Sequence, residues 1–268
     1  MSRIAACFSE LKAQHKTALI PYITAGDPGA GTTLKLMHAL VEAGADMLEV
    51  GVPFSDPMAD GPVIQAACER ALLSGINLRD ILDMVAEFRR QDSSTPVILM
   101  GYLNPIESMG YEAFAQRAAA VGVDGALLVD LSAEEASEPA ALLLAQGVDP
   151  IFLIAPTSTP ERIQRIGKLA AGYVYYVSFK GVTGANRIDI AEVAASVNMI
   201  RQHADLPVAV GFGIRDAETA ANVSRTADAV IVGSALVSKI ADLAGDEAAI
   251  LEEVPAILQG MRLAIDAI

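Results

Sequence analysis

The stretch DMLEVGVPFSDPMADGPVIQ, residues 46–65, passes from a strand through a loop into a helix. Its apolar run Met47–Gly51 is typical of a buried β-strand. The following loop, Pro53–Asp60, is rich in proline and aspartate, and a proline at the start of Pro62–Ser74 favours the first turn of a helix. A strand followed closely by a helix is the repeating unit of an α/β fold.

The same unit recurs on both sides of this stretch. Short apolar runs predict strands at Ala18–Thr24, Met47–Gly51, Pro96–Tyr102, Gly125–Val129, Pro150–Ile154, Tyr173–Ser178, Pro207–Gly211 and Ala229–Val232. Helical patterns lie between them at Gly31–Ala43, Leu78–Arg90, Tyr111–Ala120, Ala133–Gln146, Pro160–Ala170, Ile190–His203 and Ala217–Thr226. The strands are apolar throughout, as expected for a parallel sheet that is covered on both faces.

Eight strands alternating with helices predict a (β/α)8 TIM barrel, formed by residues 1–268 as a single domain. The competing fold, an open doubly wound sheet, rarely contains eight parallel strands. Extra helices are expected at the N-terminus (Ile4–Lys12), after strand 2 (Pro62–Ser74) and near strand 8, where Asp246–Ile268 ends the chain. In such a barrel, polar residues at the carboxyl ends of the strands usually form the active site.

The composition excludes several classes of protein. A formal net charge of −14 disfavours nucleic acid and anionic membranes as partners. Cys7 and Cys68 lack metal-ligand spacing and are typical of reduced cysteines in a cytoplasmic protein. We find neither a signal peptide nor a membrane-spanning run, and the three histidines lie away from the expected rim, so we predict no metal site.

Glu49 interrupts the apolar strand that precedes the loop, although an ionised carboxylate is rarely buried without a partner. No Lys or Arg lies between Lys35 and Arg70, so a cation paired with Glu49 must come from elsewhere in the chain. Glu49 could instead reach solvent at the strand end or cap the loop Gly51–Phe54. The rim position favours a general acid and base whose pKa is raised by apolar walls.

The other carboxylates have weaker cases. Asp60, in Ala59-Asp60-Gly61-Pro62, could act beside Glu49 or simply cap the helix that begins near Pro62. Asp56 precedes a proline and is interpreted as a turn residue, and Asp130 as a cap of the helix that follows it.

Three glycine-rich segments follow strands six, seven and eight: 181–184, 211–213 and 233–234. Loops at these positions of a barrel commonly bind phosphate through backbone N–H groups. Gly184, Gly213 and Ser234 are the expected donors. One such segment alone would only indicate a tight turn, whereas three together predict a phosphate site.

Large apolar or aromatic side chains also lie near the strand ends. These are Tyr22, Met100, Leu127, Leu153, Tyr175, Phe212 and Ile231. Some must belong to the barrel core, and the outermost could bind a flat aromatic substrate. Lys180 could form a Schiff base, but its place beside a glycine loop favours a solvated lysine.

Several segments together resemble one family, that of the tryptophan synthase α subunit. They are PYITAGDP (21–28), LEVGVPFSDPMADGPVIQ (48–65), GYLNPI (101–106), VDGALLVDL (123–131), SFKGVTG (178–184) and GFGIRD (211–216). The similarity runs in order through most of the chain, and the segment around Glu49 and Asp60 is its most diagnostic part. Two positions depart from the family: Tyr22 replaces a common Phe, and Phe179-Lys180 replaces a pair that often contains Arg.

The resemblance implies a lyase that cleaves indole-3-glycerol phosphate into indole and glyceraldehyde 3-phosphate. It also implies an α2β2 complex with a β subunit, which carries the pyridoxal phosphate, whereas this chain needs no cofactor. The implied catalytic residues are Glu49, Asp60 and Tyr175. The implied substrate-binding residues are Tyr22, Met100, Leu127, Thr183, Gly184, Gly211, Phe212, Gly213, Ile231, Gly233 and Ser234. Pro53 and Asp56 lie in the loop implied to contact the partner.

Two rival functions remain open at this stage. The first is a Schiff-base aldolase or sugar-phosphate isomerase on the same barrel, which would use Lys180. The second is a subunit without catalytic activity that activates a partner, which the paired Glu49 and Asp60 argue against.

Overall fold

The structure, a computed structural model, describes residues 1–178, 189–211 and 213–268. Its eight strands pair in parallel and in chain order into a closed barrel, so the predicted (β/α)8 fold is confirmed. The strands are β1 (Ala18–Thr24), β2 (Leu48–Gly51), β3 (Val97–Gly101), β4 (Gly125–Leu128), β5 (Asp149–Ile154), β6 (Val174–Val177), β7 (Val208–Gly211) and β8 (Ala229–Val232). Every predicted strand is present, with its ends displaced by at most one residue.

Helices surround the barrel in the described part of the chain. They are α1 (Arg3–Ala13), α2 (Ala30–Glu42), α3 (Pro62–Leu73), α4 (Leu78–Phe88), α5 (Leu103–Met109), α6 (Tyr111–Val121), α7 (Ser137–Ala145), α8 (Pro160–Leu169), α9 (Ile190–Arg201), α10 (Ala217–Ser224), α11 (Ser234–Asp242) and α12 (Glu247–Asp266). The extra helices expected at the N-terminus, after β2 and near β8 are α1, α3 and α12. None of the helices in the described ranges has the length and apolar character needed to cross a bilayer.

Three predictions about helices were incomplete or wrong. The sequence interpretation missed α5 and placed no helix directly after β8, where α11 begins at Ser234. The helix predicted over Ala133–Gln146 starts only at Ser137, and residues 133–136 form turns. This start places Pro139 in the first turn of α7, where the missing proline N–H leaves no helical hydrogen bond unmade.

Two hydrophobic layers hold the barrel together. The larger layer lies between the outer faces of the strands and the surrounding helices. The smaller one fills the barrel interior and includes Ile20, Met47 and Tyr173, with Phe8 of α1 packed below them. The rings of Phe8 and Tyr173 meet edge to face at 6.0 Å. Helix α1 therefore closes the amino-terminal end of the barrel, and the carboxyl ends of the strands carry the polar site.

Candidate active site

Glu49 lies inside the barrel on β2, and its side chain is fully buried, with 0% exposure. The hydroxyl of Tyr173, the residue directly before β6, donates a hydrogen bond to Glu49 Oε1 at 2.5 Å. No Lys or Arg of the described residues forms an ion pair with Glu49. The alternative that Glu49 reaches solvent is wrong for this structure.

The environment of Glu49 suits proton transfer near neutral pH. Burial raises the pKa of Glu49 to about 7, and the hydrogen bond from Tyr173 opposes this rise. The second oxygen, Oε2, is buried and has no hydrogen-bond partner among the described residues. A carboxyl group with a pKa near 7 and one unengaged oxygen can both give and accept a proton at physiological pH.

Tyr173 was not among the predicted site residues. Its position could have been found from the alternation of side chains along a strand, because Tyr173 and Tyr175 are two residues apart and face the same way. Both belong to the barrel interior, and burial raises the pKa of each phenol well above its usual value. Both hydroxyls therefore remain protonated and can act as hydrogen-bond donors.

Two tyrosine rings lie against the terminal glycines of the next strands. A Cβ on Gly51 would overlap the hydroxyl end of Tyr22, and a Cβ on Gly211 would overlap that of Tyr175. Tyr22 also pairs in register with Glu49 across β1 and β2. The sequence interpretation assigned Gly211 to substrate binding, and the structure adds a local reason for its lack of a side chain: it makes room for Tyr175.

Asp60 follows the loop after β2 and does not cap α3. The N-cap residue of α3 is Gly61, which makes no side-chain cap hydrogen bond, so the capping alternative for Asp60 is wrong. Instead, the hydroxyl of Tyr102 donates to Asp60 Oδ2 at 2.9 Å and accepts from the N–H of Ala59 at 3.0 Å. Burial raises the pKa of Asp60, and the bond from Tyr102 opposes the rise.

Tyr102 is a second residue that the sequence interpretation missed. It comes directly after β3, at the rim of the barrel, and its ring stacks on Phe54 with centroids 5.2 Å apart. Its place at the carboxyl end of a predicted strand could have marked it as a site residue. Tyr102 thus connects the end of β3 to the loop that carries Asp60.

Asp130 was predicted to cap the helix that follows it in sequence, and this was wrong. Its carboxylate accepts the N–H of Leu103 at 2.8 Å, at the first residue of α5. Asp130, after β4, therefore caps α5, which follows the neighbouring strand β3, because the carboxyl ends of β3 and β4 lie side by side.

A buried ion pair fixes helix α3 beside the first strand. The guanidinium of Arg70 donates two hydrogen bonds to Asp27, at 2.8 and 2.7 Å, and the Asp27 side chain is only 1% exposed. Arg70 is the first cation after Glu49 in the sequence, but it pairs with Asp27 in the loop after β1 and not with Glu49. The inner face of α3, with Ile64 and Cys68, packs on Tyr22.

The predicted phosphate end of the site is described only in part. Gly233 is the N-cap of α11 and Ser234 is its first residue, so the free N–H groups of this helix end lie at the rim. The first turn of α11 contains no acidic residue. Gly213 has a positive φ of 76° after β7. Thr183, Gly184 and Lys180 lie outside the described residues, as does Phe212.

The other apolar residues predicted to bind the substrate differ in how deeply they are buried. Leu127 and Ile231 are fully or almost fully buried in the interior layer, while Met100 is partly exposed and contacts the clusters around Tyr22 and Tyr175. Met100 thus has the better access to a ligand at the rim, and contact of Leu127 and Ile231 with a substrate stays a prediction.

The loop between β2 and α3 presents an exposed surface. Pro53 is buried at its start, whereas Asp56 is exposed, as expected for a turn residue, and accepts a hydrogen bond from the Ser55 hydroxyl at 2.6 Å. The apolar side chain of Met58 is 85% exposed. Among the described residues, no cluster of His, Cys, Asp or Glu side chains is arranged to hold a metal ion.

Comparison with known protein families gives a match over almost the whole chain. The profile of the family described as "Tryptophan synthase alpha chain" matches residues 8–266. The tryptophan synthase alpha chain of Nitrosococcus oceani is 60% identical over 267 residues, covering 100% of this chain and 98% of the relative. That of Thioalkalivibrio sulfidiphilus is 60% identical over 266 residues, covering 99% of this chain and 100% of the relative.

Solved structures show the same relationship. The tryptophan synthase subunit alpha of Legionella pneumophila superposes with a TM-score of 0.93 at 48% identity, covering 100% of both chains. A chain in the structure of Mycobacterium tuberculosis tryptophan synthase superposes with a TM-score of 0.89 at 37% identity, covering 98% of both. With its barrel, buried glutamate and loop aspartate in place, the chain belongs to the tryptophan synthase alpha chain family.

Proposed function

We propose that this chain cleaves indole-3-glycerol phosphate into indole and glyceraldehyde 3-phosphate, as the α chain of tryptophan synthase. The observation that carries the proposal is the position of Glu49, buried in the barrel with a pKa near 7 and with Oε2 unengaged by the described residues. Cleavage of the bond between indole C3 and the side chain needs a proton delivered to C3. It also needs a proton removed from the hydroxyl on the adjacent carbon.

Glu49 carries out both transfers in this proposal. As the acid it protonates indole C3, which turns the ring into an electron sink, and as the base it accepts the hydroxyl proton as the carbon–carbon bond breaks. Tyr173 holds Oε1, so the proton is exchanged at Oε2. The two transfers balance, since the proton gained in one step replaces the proton given in the other.

Asp60 stabilises the charge that develops on the ring. Its carboxylate accepts a hydrogen bond from the indole N–H, where positive charge appears once C3 is protonated. Tyr102 keeps this carboxylate at the rim through the bond at 2.9 Å. The phenol of Tyr175, buried and protonated, is proposed as a donor beside the reacting side chain.

The ends of the substrate are held by different parts of the rim. We place the phosphate at the N-terminus of α11, at Gly233 and Ser234, with Gly213 and the predicted Thr183, Gly184 and Gly211 around it. The indole ring lies between Tyr22 and Met100, with Leu127, Ile231 and Phe212 as further predicted walls. Binding the phosphate at a fixed distance from Glu49 orients the reacting bond.

The α chains of this family act together with a β subunit. The β subunit binds pyridoxal phosphate, and the α chain itself carries no cofactor. We propose that the loop from Pro53 to Asp60, through its exposed part around Asp56, contacts this partner. Closure of this loop then makes the complex faster than the isolated chain. We further propose a cytoplasmic protein in which residues 1–268 form a single domain. The two unpaired cysteines and the single closed barrel support these two proposals.

An assay of indole release tests the proposal. The purified chain is incubated with indole-3-glycerol phosphate, alone and with a tryptophan synthase β subunit, and we expect slow release alone and faster release with the partner. No release in either case would overturn the proposed reaction. Equal rates in both would overturn the coupling, and a borohydride-trapped adduct on Lys180 would favour a Schiff-base mechanism instead.

A further inference from the structure

The turn that carries Asp60 is held by a side chain with no role in the reaction described above. Gln65, in the second turn of α3, directs its amide back over the preceding loop, as helical side chains lean towards the helix N-terminus. Its Nε2 donates to the carbonyl of Asp60 at 2.8 Å and lies 3.5 Å from the carbonyl of Pro57. Because both neighbours are acceptors, the NH2 group of the amide must face the loop.

The Gln65 amide joins two ends of one tight turn. The N–H of Asp60 donates to the carbonyl of Pro57 at 3.0 Å and closes the turn through the main chain. Gln65 then bridges the two carbonyl groups at its ends. The backbone of Asp60 is therefore tied to helix α3, while the carboxylate is tied to Tyr102 after β3.

Helix α3, which carries Gln65, is itself held in place on the barrel. Its inner face packs on Tyr22 through Ile64 and Cys68, and the Arg70–Asp27 pair joins it to the loop after β1. Gln65 itself is exposed, so its amide adds little to the stability of the core. Its hydrogen bonds act on the position of the loop.

We propose that Gln65 is a positioning residue for Asp60. The inference rests on the proposed function, in which Asp60 acts on the indole N–H. When the amide is removed, the turn can shift, and the carboxylate spends less time where it stabilises charge on the ring. Loss of this positioning lowers kcat more than it raises KM, because the charge on the ring appears only in the transition state.

The test compares variants in the complex with the β subunit. Gln65→Met keeps the length of the side chain and removes the amide, and we expect kcat to fall about five- to tenfold, with KM changed less than twofold. Gln65→Lys restores a donor and should recover part of the rate, whereas Gln65→Glu faces two carbonyls with a carboxylate and should be slowest. Glu69→Met, one turn further along the exposed face, is the matched control and should retain the wild-type rate.

Coupling to Asp60 separates positioning from a general structural effect. Asp60→Asn should lower kcat strongly, and adding Gln65→Met to it should cost less than a further twofold. Wild-type kcat in Gln65→Met, or the same loss with and without Asp60→Asn, would overturn the inference. Failure of the wild-type complex to release indole would instead overturn the proposed function, so the two failures are distinguishable.

Discussion

The hydroxyl of Tyr173 donates to Glu49 Oε1 at 2.5 Å across the interior of the barrel. Glu49 belongs to β2 and Tyr173 directly precedes β6, and these two strands lie on opposite sides of the eight-stranded ring. The bond therefore spans the space beneath the active-site rim. It satisfies one oxygen of a fully buried carboxyl group and leaves the other oxygen for the substrate.

Replacing Tyr173 should change the pH at which Glu49 titrates. The phenol donates to the carboxylate and so lowers the pKa of Glu49, against the larger effect of burial that raises it to about 7. In Tyr173→Phe this bond is lost, so the limb of the pH–kcat/KM profile near pH 7 should move to higher pH. The measurement is kcat/KM for indole release across pH 5.5–9, a range chosen to bracket that pKa.

Tyr176→Phe is the matched control, because the Tyr176 hydroxyl bonds Ser196 at 2.9 Å outside the barrel interior. Its profile should coincide with that of the wild type. An unshifted limb in Tyr173→Phe, or an equal shift in Tyr176→Phe, would contradict the assigned role of the bond.

The buried carboxyl group should also make stability depend on pH. The pKa of Glu49 is raised from 4.5 to about 7 on folding, so above pH 4.5 the unfolded chain loses a proton that the folded chain retains. The resulting penalty grows between these values and is complete above pH 7, where it reaches up to about 3 kcal/mol. Glu49→Gln lacks this penalty, and its free energy of unfolding should increasingly exceed that of the wild type as the pH rises from 5 to 8.

Urea unfolding of both proteins at several pH values measures the difference. Groups other than Glu49 contribute equally to the two proteins and cancel. A difference that stays constant between pH 5 and pH 8 would show that Glu49 is not held in an environment that raises its pKa.

The Asp27–Arg70 pair should respond unequally to loss of either partner. Arg70→Met leaves the carboxylate of Asp27, which is 1% exposed, without its cation, and should lower the free energy of unfolding by roughly 3 kcal/mol. Asp27→Asn leaves an arginine that is 29% exposed and can be hydrated, so its cost should be clearly smaller. Equal losses in urea unfolding would argue against this difference in burial as the cause.

Gly51 should tolerate no side chain while Tyr22 is present. A methyl group at this position would overlap the hydroxyl end of Tyr22, so Gly51→Ala should displace the ring, with a stability cost of about 1–3 kcal/mol and a higher KM. Tyr22→Phe removes the overlapping oxygen and should recover part of both losses. Gly61→Ala is the control, since no atom lies within 4 Å of the added carbon. The idea fails if the Gly51 and Gly61 variants behave alike.

The strands of the barrel were predictable from the sequence, because parallel strands covered on both faces are continuous apolar runs and each strand here is such a run. Glu49 was predictable for the same reason, as the one charged residue in such a run. Its partner was not: the sequence showed only that a paired cation would have to come from elsewhere in the chain, and the structure supplies the phenol of Tyr173 from the opposite side of the barrel. A contact between residues 124 positions apart leaves no local pattern.

The same limit applies to Asp60, Asp130 and the helices. Sequence spacing could not distinguish catalysis from capping at Asp60, because the hydroxyl that bonds it belongs to Tyr102, which follows a different strand, β3. Asp130 caps α5 and not α7, the helix that follows Asp130 in sequence, since strands adjacent in space bring distant loops together. Some helix ends do carry a local signal: Gly44, Gly122 and Gly147 follow α2, α6 and α7, and all three adopt a positive φ.

The central claim, that Glu49 moves the protons during cleavage, is tested most directly by the rate of indole release from the Glu49→Gln variant in complex with the β subunit. The carboxamide keeps the shape of the side chain and cannot exchange the proton, so we expect kcat to fall by at least about 100-fold with KM little changed. Glu112→Gln on the exposed surface of α6 should keep the wild-type rate. Turnover by Glu49→Gln within a few-fold of the wild type would contradict the account.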